Sequence, residues 1–379
     1  MSAIERLRML SNQMHLEPAE DATCPQYSVR KQDAVNISTA QLPNGRQIKL
    51  LKTLLTSTCE RDCYYCPFRA GRDFRRASFK PDEFARLFAY IHQTGAASGL
   101  FLSSGLVNGG LQTQDQLIAT AEILRRQHHF RGYIHLKIMP GADREQVLRA
   151  MQLADRVSVN LEAPNAARLE RLAPRKTFFE ELLQPLLWAQ EIRQSLPGSQ
   201  GWNGHWPSTV TQYVVGGSDE SDVELLATTE QLHRQAGLAR AYFSAFSPVS
   251  DTPLENKAPT PALRQHRLYQ ASFLLRDYGF NLEEMPFGEQ GNLALDEDPK
   301  TSWARANLLE PVDINLASPE LLLRIPGIGP KGSKAILAAR QQRTLRDLSA
   351  LTRLGIRAQK AAPFILLDGK RPAQQLALF

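Results

Sequence analysis

Short runs of β-branched and apolar residues alternate along the chain with segments whose apolar residues recur at helical spacing. These runs predict six strands, at residues 48–56, 100–103, 133–139, 156–161, 209–215 and 241–246. The segments between them predict helices at residues 81–94, 113–127, 142–153, 178–193 and 219–236. Strands that alternate with helices favour an all-parallel sheet with right-handed crossovers, either open or curled into a partial barrel. Functional residues are then expected at the carboxyl ends of the strands.

Composition narrows the class of protein. The chain has 379 residues, of which 42% are hydrophobic and 22% charged, enough for one large domain or two unequal ones. No run approaches the roughly 18 uncharged apolar residues that cross a bilayer. The start of the chain carries Glu5, Arg6 and Arg8 and lacks the apolar stretch of a secretory signal. We therefore expect a cytoplasmic protein without a membrane contact.

Charge separates the end of the chain from the rest. Residues 311–379 hold eleven basic and four acidic residues, a net charge of +7, whereas the whole chain carries only +6. Such a segment is expected to bind a polyanion. We predict an N-terminal extension at 1–45, the alternating α/β domain at 46–290, a connector at 291–310 and a helical nucleic-acid-binding domain at 311–370.

Three of the four cysteines, Cys59, Cys63 and Cys66, lie within eight positions, just after the first predicted strand. This crowding indicates a metal site rather than disulfides. Three thiolates spaced CxxxCxxC can hold a cubic iron–sulfur cluster and leave one iron without a protein ligand. An open coordination position is typical of a site that performs chemistry. The alternative is a structural zinc site with Cys24 as the fourth ligand.

The cysteine spacing, with an aromatic residue before the last cysteine, resembles the signature of the radical S-adenosylmethionine (radical SAM) enzymes. The resemblance implies a partial (β/α)6 TIM-like barrel and two cofactors, a [4Fe-4S] cluster and S-adenosylmethionine. In that family the open iron binds the amino and carboxyl groups of S-adenosylmethionine, and one electron releases a 5′-deoxyadenosyl radical. An electron donor such as flavodoxin or ferredoxin is the implied protein partner.

The same resemblance assigns cofactor contacts to the ends of the other predicted strands. The implied contacts are Tyr65, Ser103, Ser104, Gly105, Lys137, Ser158, Asn160, Glu162, Gln212, Val214 and Gly216. Lys137 and Glu162 are the strongest of these, because an unpaired charge in an apolar strand costs several kcal/mol. The alternative for these two residues is a buried pair with each other.

A second motif lies in the basic segment. Ser318 can cap a helix that has Pro319 at its first position, Pro326 and Gly327 end it, and another helix starts near Pro330. Two helices joined by PGIG resemble the helix-hairpin-helix motif, which binds the nucleic-acid backbone through glycine amides and a helix N-terminus. The matching contacts are Gly327, Gly329, Lys331, Lys334 and Arg340. A second, degenerate hairpin closes at Gly355; the alternative for the surrounding arginines is a solvated face.

From about Ala22 onward the chain resembles a group of radical SAM proteins with a helix-hairpin-helix tail that is associated with DNA repair or DNA modification. The resemblance implies DNA as substrate, including single-stranded or damaged DNA. A repair of photoproduct type needs a hydrogen-atom donor, and Cys24, Tyr213 and Tyr242 are the candidates. Two alternatives stay open: an RNA-modifying radical SAM enzyme, and a non-catalytic nucleic-acid binder with a structural metal site.

Overall fold

The computed structural model describes residues 1–12, 14, 35–42 and 45–372. Its described residues form two compact units. The first consists of Met1–Glu220 and Gln231–Pro261, and the second of Ser221–Glu230 with the described part of Ala262–Phe379. This division into two units does not test the domain boundaries predicted from the sequence, which remain predictions.

A seven-stranded sheet forms the first unit, and its strands follow one another in chain order across the sheet. The strands are β1 (Ile37–Gln41), β2 (Gln47–Leu54), β3 (Gly99–Ser103), β4 (Tyr133–Lys137), β5 (Arg156–Ser158), β6 (Ser208–Val215) and β7 (Arg240–Ala245). Strand β1 runs antiparallel to β2, and every later pair is parallel. All six predicted strands are present, which confirms the α/β half-barrel.

Helices connect the parallel strands, as expected for right-handed crossovers. Helix α1 (Ala3–Asn12) precedes the first strand. The connecting helices are α2 (Pro81–Gln93), α3 (Gly109–Arg126), α4 (Arg144–Met151), α5 (Ala166–Glu170), α6 (Gln184–Ser195) and α7 (Asp222–Gln235). Strands β3 and β4 are buried along their whole length, which explains their continuous apolar runs. The carboxyl ends of β2 to β7 therefore meet at one edge of the sheet.

Two local features differ from the sequence expectations. Strand β1 lies in the segment predicted as an extension, because a five-residue edge strand has too short a pattern to stand out. The helix predicted at 178–193 begins instead as a π-helix at Phe178–Leu183 and becomes α-helical at Gln184. Pro185 explains the wider turn, because it has no N–H to donate to the preceding turn.

The second unit is helical. It contains α8 (Ala262–Asp277), α9 (Pro299–Asn307), α10 (Pro319–Arg324), α11 (Pro330–Gln342), α12 (Leu348–Arg353), α13 (Ala358–Ala361) and a small parallel pair, β8 (Val312–Asp313) with β9 (Ile365–Leu366). Ser318 accepts a hydrogen bond from the Leu321 amide at the start of α10, as the sequence predicts.

Two helical hairpins pack around one apolar core in this unit. Helices α10 and α11 form the first hairpin and α12 and α13 the second, with Ile325, Ile336 and Leu351 fully buried between them. Gly327 (φ 84°) and Gly355 (φ 77°) occupy the left-handed region at the two turns. The Arg357 amide donates to the Gly327 carbonyl at 3.3 Å, so the two turns contact each other.

Candidate functional site

A cavity opens at the carboxyl edge of the sheet in the first unit. The space between its walls, with the open solvent at its mouth counted in, is about 1110 Å³. Cys59, Cys63 and Cys66 line it together with side chains from the ends of β3 to β7. The cavity therefore brings the three thiols and polar groups from several strand ends to one space.

Most of the predicted cofactor contacts share this cavity. The lining includes Tyr65, Ser103, Ser104, Gly105, Lys137, Asn160, Glu162, Gln212 and Val214. Each follows from strand geometry, because the last residues of parallel strands and the loops after them meet at the same edge. The structure thus brings nine of the eleven predicted cofactor contacts to the same place as the three cysteines.

The loop that carries the cysteines is shaped by Arg76. Its guanidinium donates to the carbonyls of Ser57, Phe68, Arg69 and Arg72 at 2.9–3.3 Å. This guanidinium therefore crosslinks the loop from its first residue, before the cysteines, to the residues that follow them.

A second segment clamps the same loop from the other side. The Tyr64 amide donates to the Leu172 carbonyl at 2.7 Å, and Arg175 donates to the Glu60 carbonyl at 3.2 Å. Arg61 forms an ion pair with Glu181. The cysteine loop is thus held by the loop that follows α5.

Backbone amides reach two of the sulfur atoms. The Phe68 amide lies 3.4 Å from Cys66 Sγ, and the Leu106 amide lies 3.5 Å from Cys59 Sγ. Hydrogen bonds of this kind stabilise negative charge on sulfur. Burial raises the pKa of the Cys63 and Cys66 thiols, so thiolate in this cavity needs a strong positive charge beside it, which a bound metal supplies.

The buried charges in the cavity form two separate contacts. Lys137 Nζ donates to Asn160 Oδ1, whereas Glu162 forms an ion pair with Lys176 at 3.1 Å. The alternative of a Lys137–Glu162 pair is therefore not what the structure shows: the chain turns at Glu162 (φ 65°), and its carboxylate contacts Lys176 in the loop after α5. Burial, with the Glu162 carboxylate nearby, raises the pKa of Tyr65.

Lys176 is the site residue that sequence reasoning missed. Its side chain is 8% exposed and lines the cavity beside Glu162. Burial alone would lower its pKa, but the negative charges of Cys63 and Glu162 raise it above the ordinary value. The only signal in the sequence was its position in the LAPRK segment that carried part of the family resemblance.

Other predicted site residues lie away from the cavity. The Ser158 hydroxyl contacts His135 Nε2 at 2.9 Å, and the Gly216 amide donates to Glu220. Tyr213 is fully buried, and the Tyr242 hydroxyl lies 3.1 Å from Arg156 Nη1. None of these four residues lines the cavity. Cys24 lies outside the described residues.

The donor set fits the iron–sulfur cluster and S-adenosylmethionine. Three cysteine thiols line one cavity, and in a cluster each cysteine binds a different iron. The alternative zinc site includes Cys24, which lies outside the described residues.

The turn after β3 packs closely against the cysteine loop. A Cβ at Gly105 would lie 2.1 Å from the Thr58 carbonyl oxygen, so only glycine allows this turn to pack on the cysteine loop. The neighbouring Ser104 hydroxyl is buried and has no partner among the described residues. A buried hydroxyl in this position is a donor suited to a polar ligand.

The turn of the first hairpin in the second unit presents unpaired amides. Gly329 precedes α11, and none of the described residues accepts a hydrogen bond from the amides of Gly329, Lys331 or Gly332. Lys331 and Lys334 are exposed on the first turns of the helix. Arg340 instead donates to the carbonyls of Ile314 and Ala317, at 3.2 and 2.6 Å. Gly327, Gly329, Lys331 and Lys334 therefore cluster at the turn, and Arg340 lies farther along α11.

Two family profiles match the chain. The profile of the radical SAM superfamily matches residues 53–228, which include the three cysteines and strands β3 to β6. The profile of the helix-hairpin-helix motif matches residues 309–365, which include both hairpins of the second unit. No curated protein sequence matches.

Several solved structures are similar to part of the chain. The FeFe-hydrogenase maturase HydG from Carboxydothermus hydrogenoformans aligns with a TM-score of 0.48 and 14% identity, over 60% of this chain and 51% of HydG. Methylornithine synthase (PylB) aligns with a TM-score of 0.45 and 13% identity, over 60% and 62% of the two chains. Coproporphyrinogen III oxidase (HemN) from Escherichia coli aligns with a TM-score of 0.39 and 14% identity, over 60% and 52%. The chain thus spans about half to three fifths of the length of these proteins.

None of the described helices is both long enough and apolar enough to cross a membrane.

Proposed function

We propose that this chain, which carries a radical SAM domain at residues 53–228 followed by a helix-hairpin-helix motif at residues 309–365, is a radical SAM enzyme that acts on DNA. The observation that carries the proposal is the shared cavity: the three cysteines and the polar ends of the parallel strands line one space. The reaction on DNA would be a repair or a base modification.

Different residues of the cavity would bind the cluster and stabilise its charge. Cys59, Cys63 and Cys66 would hold the cluster, and the amides of Phe68 and Leu106 would stabilise the charge on their sulfur atoms. When bound, the cluster and S-adenosylmethionine would supply a 5′-deoxyadenosyl radical for hydrogen abstraction. The surrounding barrel would exclude water from the reaction.

Two polar groups in the cavity suit the amino-acid part of S-adenosylmethionine. The Lys176 ammonium can attract its carboxylate, and the unpartnered Ser104 hydroxyl can bind its ammonium or carboxylate. Asn160, held by Lys137 just after β5, and Gln212 within β6 line the cavity and suit the ribose and adenine.

The hairpin would hold the nucleic acid. Three unpaired amides at the start of a 13-residue helix, with two exposed lysines beside them, suit a backbone phosphate. The net charge of +7 on residues 311–379 supports the same polyanion. Contacts of this type read backbone shape and charge, so the unit would bind many sequences.

The test is the formation of 5′-deoxyadenosine by the anaerobically reconstituted full-length protein with a chemical reductant. We expect DNA to stimulate this reaction and a Cys63→Ala variant to be inactive. Duplex DNA, single-stranded DNA and RNA of the same sequence should be compared in parallel. Greater stimulation by RNA would redirect the proposal to RNA, and DNA binding without any cofactor cleavage would reject the enzymatic role.

A further inference from the structure

Lys300 lies beneath the hairpin turn of the second unit, although its residue type and position give no sequence signal for a ligand. It is the second residue of α9, it is 8% exposed, and its ammonium donates to the Ile328 carbonyl in the middle of the GIG turn. The ammonium also lies 4.7 Å from the centre of the Tyr278 ring, a cation–π contact. Lys300 therefore contacts the turn from inside the unit.

This contact fixes the direction of one of the unpaired amides. The Ile328 carbonyl and the Gly329 N–H belong to the same peptide, and the described chain contains no cis peptide. In a trans peptide these two groups point in opposite directions. When Lys300 holds the carbonyl inward, the Gly329 N–H is held outward, on the side where Lys331 and Lys334 are exposed.

The charge of Lys300 is not neutralised by the protein. No carboxylate among the described residues lies within ion-pair distance of its ammonium. Asp298, whose negative charge acts on Lys300, forms its ion pair with Lys360 at 2.7 Å. Arg324 also faces Lys300 from α10, and Asp277 and Arg357 lie around Tyr278.

The local balance of charge makes this ammonium responsive to an added anion. Burial, opposed in part by Asp298, lowers the pKa of Lys300 to about 7. An anion outside the turn would favour the charged form and so would take up a proton from solvent.

We propose that Lys300 is a positioning residue for the phosphate site of the hairpin, fixing the Gly329 amide outward and adding its positive charge behind the turn. The proposal rests on nucleic-acid binding by the hairpin. The ligand is a backbone phosphate, and its binding is coupled to protonation of Lys300.

The experiment measures the dissociation constant of full-length protein for a short labelled DNA duplex at low salt, across the pH range on both sides of 7. We expect affinity to fall as the pH rises above about 7, by up to about tenfold per pH unit. Lys300→Arg should bind tightly with a flat pH profile, because its charge does not titrate. Lys300→Met should bind weakly with a flat profile. The other ionisable groups are common to all the variants, so differences between the pH profiles report on residue 300.

Lys331→Met is the control that separates DNA binding by the hairpin from the role of Lys300. It should weaken binding equally at every pH and lower the salt dependence, because it removes a surface charge only. If Lys331→Met weakens binding but Lys300→Arg keeps the pH slope of the wild type, the role of Lys300 is overturned and the hairpin site stands. If the wild type does not bind DNA at low salt, the hairpin site and the role of Lys300 both fail. Loss of folding in Lys300→Met would leave Lys300→Arg as the deciding variant.

Discussion

Glu162 combines two costly features at one residue. It is a non-glycine residue with φ 65°, and its carboxylate is buried in an ion pair with Lys176. A residue held in the left-handed region costs roughly 1–3 kcal/mol and persists where the surroundings determine it. Here the surroundings are backbone bonds, because the Glu162 amide donates to Gln212 and its carbonyl accepts from Val214. The strained turn places the carboxylate between the cysteine loop and the loop after α5.

The two single substitutions in this pair should have non-additive effects on stability. Glu162→Gln leaves the Lys176 ammonium buried without its carboxylate, which costs about 3–5 kcal/mol. Lys176→Met leaves the carboxylate alone and should cost a similar amount. The double variant removes both charges, so we expect its loss in the free energy of unfolding to be clearly smaller than the sum. Urea denaturation of the four proteins, prepared in the same way, measures this cycle; additive losses would contradict the pairing.

Lys300 makes the stability of the second unit depend on pH. Its pKa is about 7 in the folded protein against an ordinary value of 10.5. Between these values the unfolded chain holds the proton and the folded chain does not, so the free energy of unfolding rises with pH, by up to about 1.4 kcal/mol per pH unit. Below about pH 7 both states are charged and the cost of burial is fully present.

The measurement is the difference between wild type and Lys300→Met in urea denaturation at several pH values above 7. Other titrating groups are common to both proteins and cancel. Parallel pH profiles would show that Lys300 is not responsible for a titration in this range.

Sequence reasoning identified the residue types of the cavity better than their contacts. Cys59, Cys63 and Cys66 could be predicted as metal ligands from the sequence, because their spacing alone limits the metals they can hold. Lys176 could not be predicted, because only the course of the loop after α5 brings it to the site. The pairing of Glu162 with Lys176 was not predicted for the same reason: period-two alternation does not foresee a left-handed turn at a glutamate.

At the scale of elements, the conformation of the cysteine loop is fixed by arginine side chains and not by helix or strand hydrogen bonds. It has neither helix nor strand between β2 and α2, so side chains must satisfy its carbonyls. Arg76 satisfies four of them, and its guanidinium lies 4.2 Å from the centre of the Phe74 ring. Substitution of this residue should change the loop without touching a cysteine.

Arg76→Ala should reduce the iron content of the reconstituted protein and speed the loss of iron to a chelator. Charge-assisted hydrogen bonds are worth about 1.5–3 kcal/mol each, so a rate increase of about tenfold or more is expected. Arg75→Ala is the matched control, because Arg75 is an exposed neighbour. Equal iron retention in both variants would mean that Arg76 does not organise the loop.

The elements themselves were largely foreseeable. The six parallel strands and the capped start of α10 follow from apolar runs and from Ser318 and Pro319, which act locally. The π-helix before α6 could not be predicted, because the helical periodicity of the sequence continues through the wider turn. Strand β1 is an edge strand whose pairing with β2 is visible only in the folded chain.

At the scale of the molecule, chemistry and charge are divided between the two units. The cavity lies wholly in the first unit, and the hairpins lie in the second. Substitutions in one unit should therefore change one half of the proposed reaction and leave the other intact.

A Lys331→Glu/Lys334→Glu variant should lose DNA affinity while it keeps its affinity for S-adenosylmethionine. Loss of two phosphate contacts should lower the slope of log affinity against log salt by about 2. Stimulation of 5′-deoxyadenosine formation at saturating DNA should stay unchanged. Arg126→Glu/Arg131→Glu, which reverses two exposed charges of the first unit, is the control. An equal loss of DNA affinity in the control would show that binding follows total charge and not the hairpin.

The strands of the sheet keep the turns at their amino ends far from the cavity at their carboxyl ends. Strand β6 has eight residues and spans about 26 Å, so the turn before it, at Gly198–Gln200 and Trp202–Gly204, lies that far from the cavity end of the strand. Asn203 and His205 are exposed there, while the Trp202 ring is covered by Arg125 at 3.9 Å. A fluorophore or surface tether attached at Asn203 would leave the chemistry untouched, which makes this turn a practical anchor for single-molecule observation of the protein.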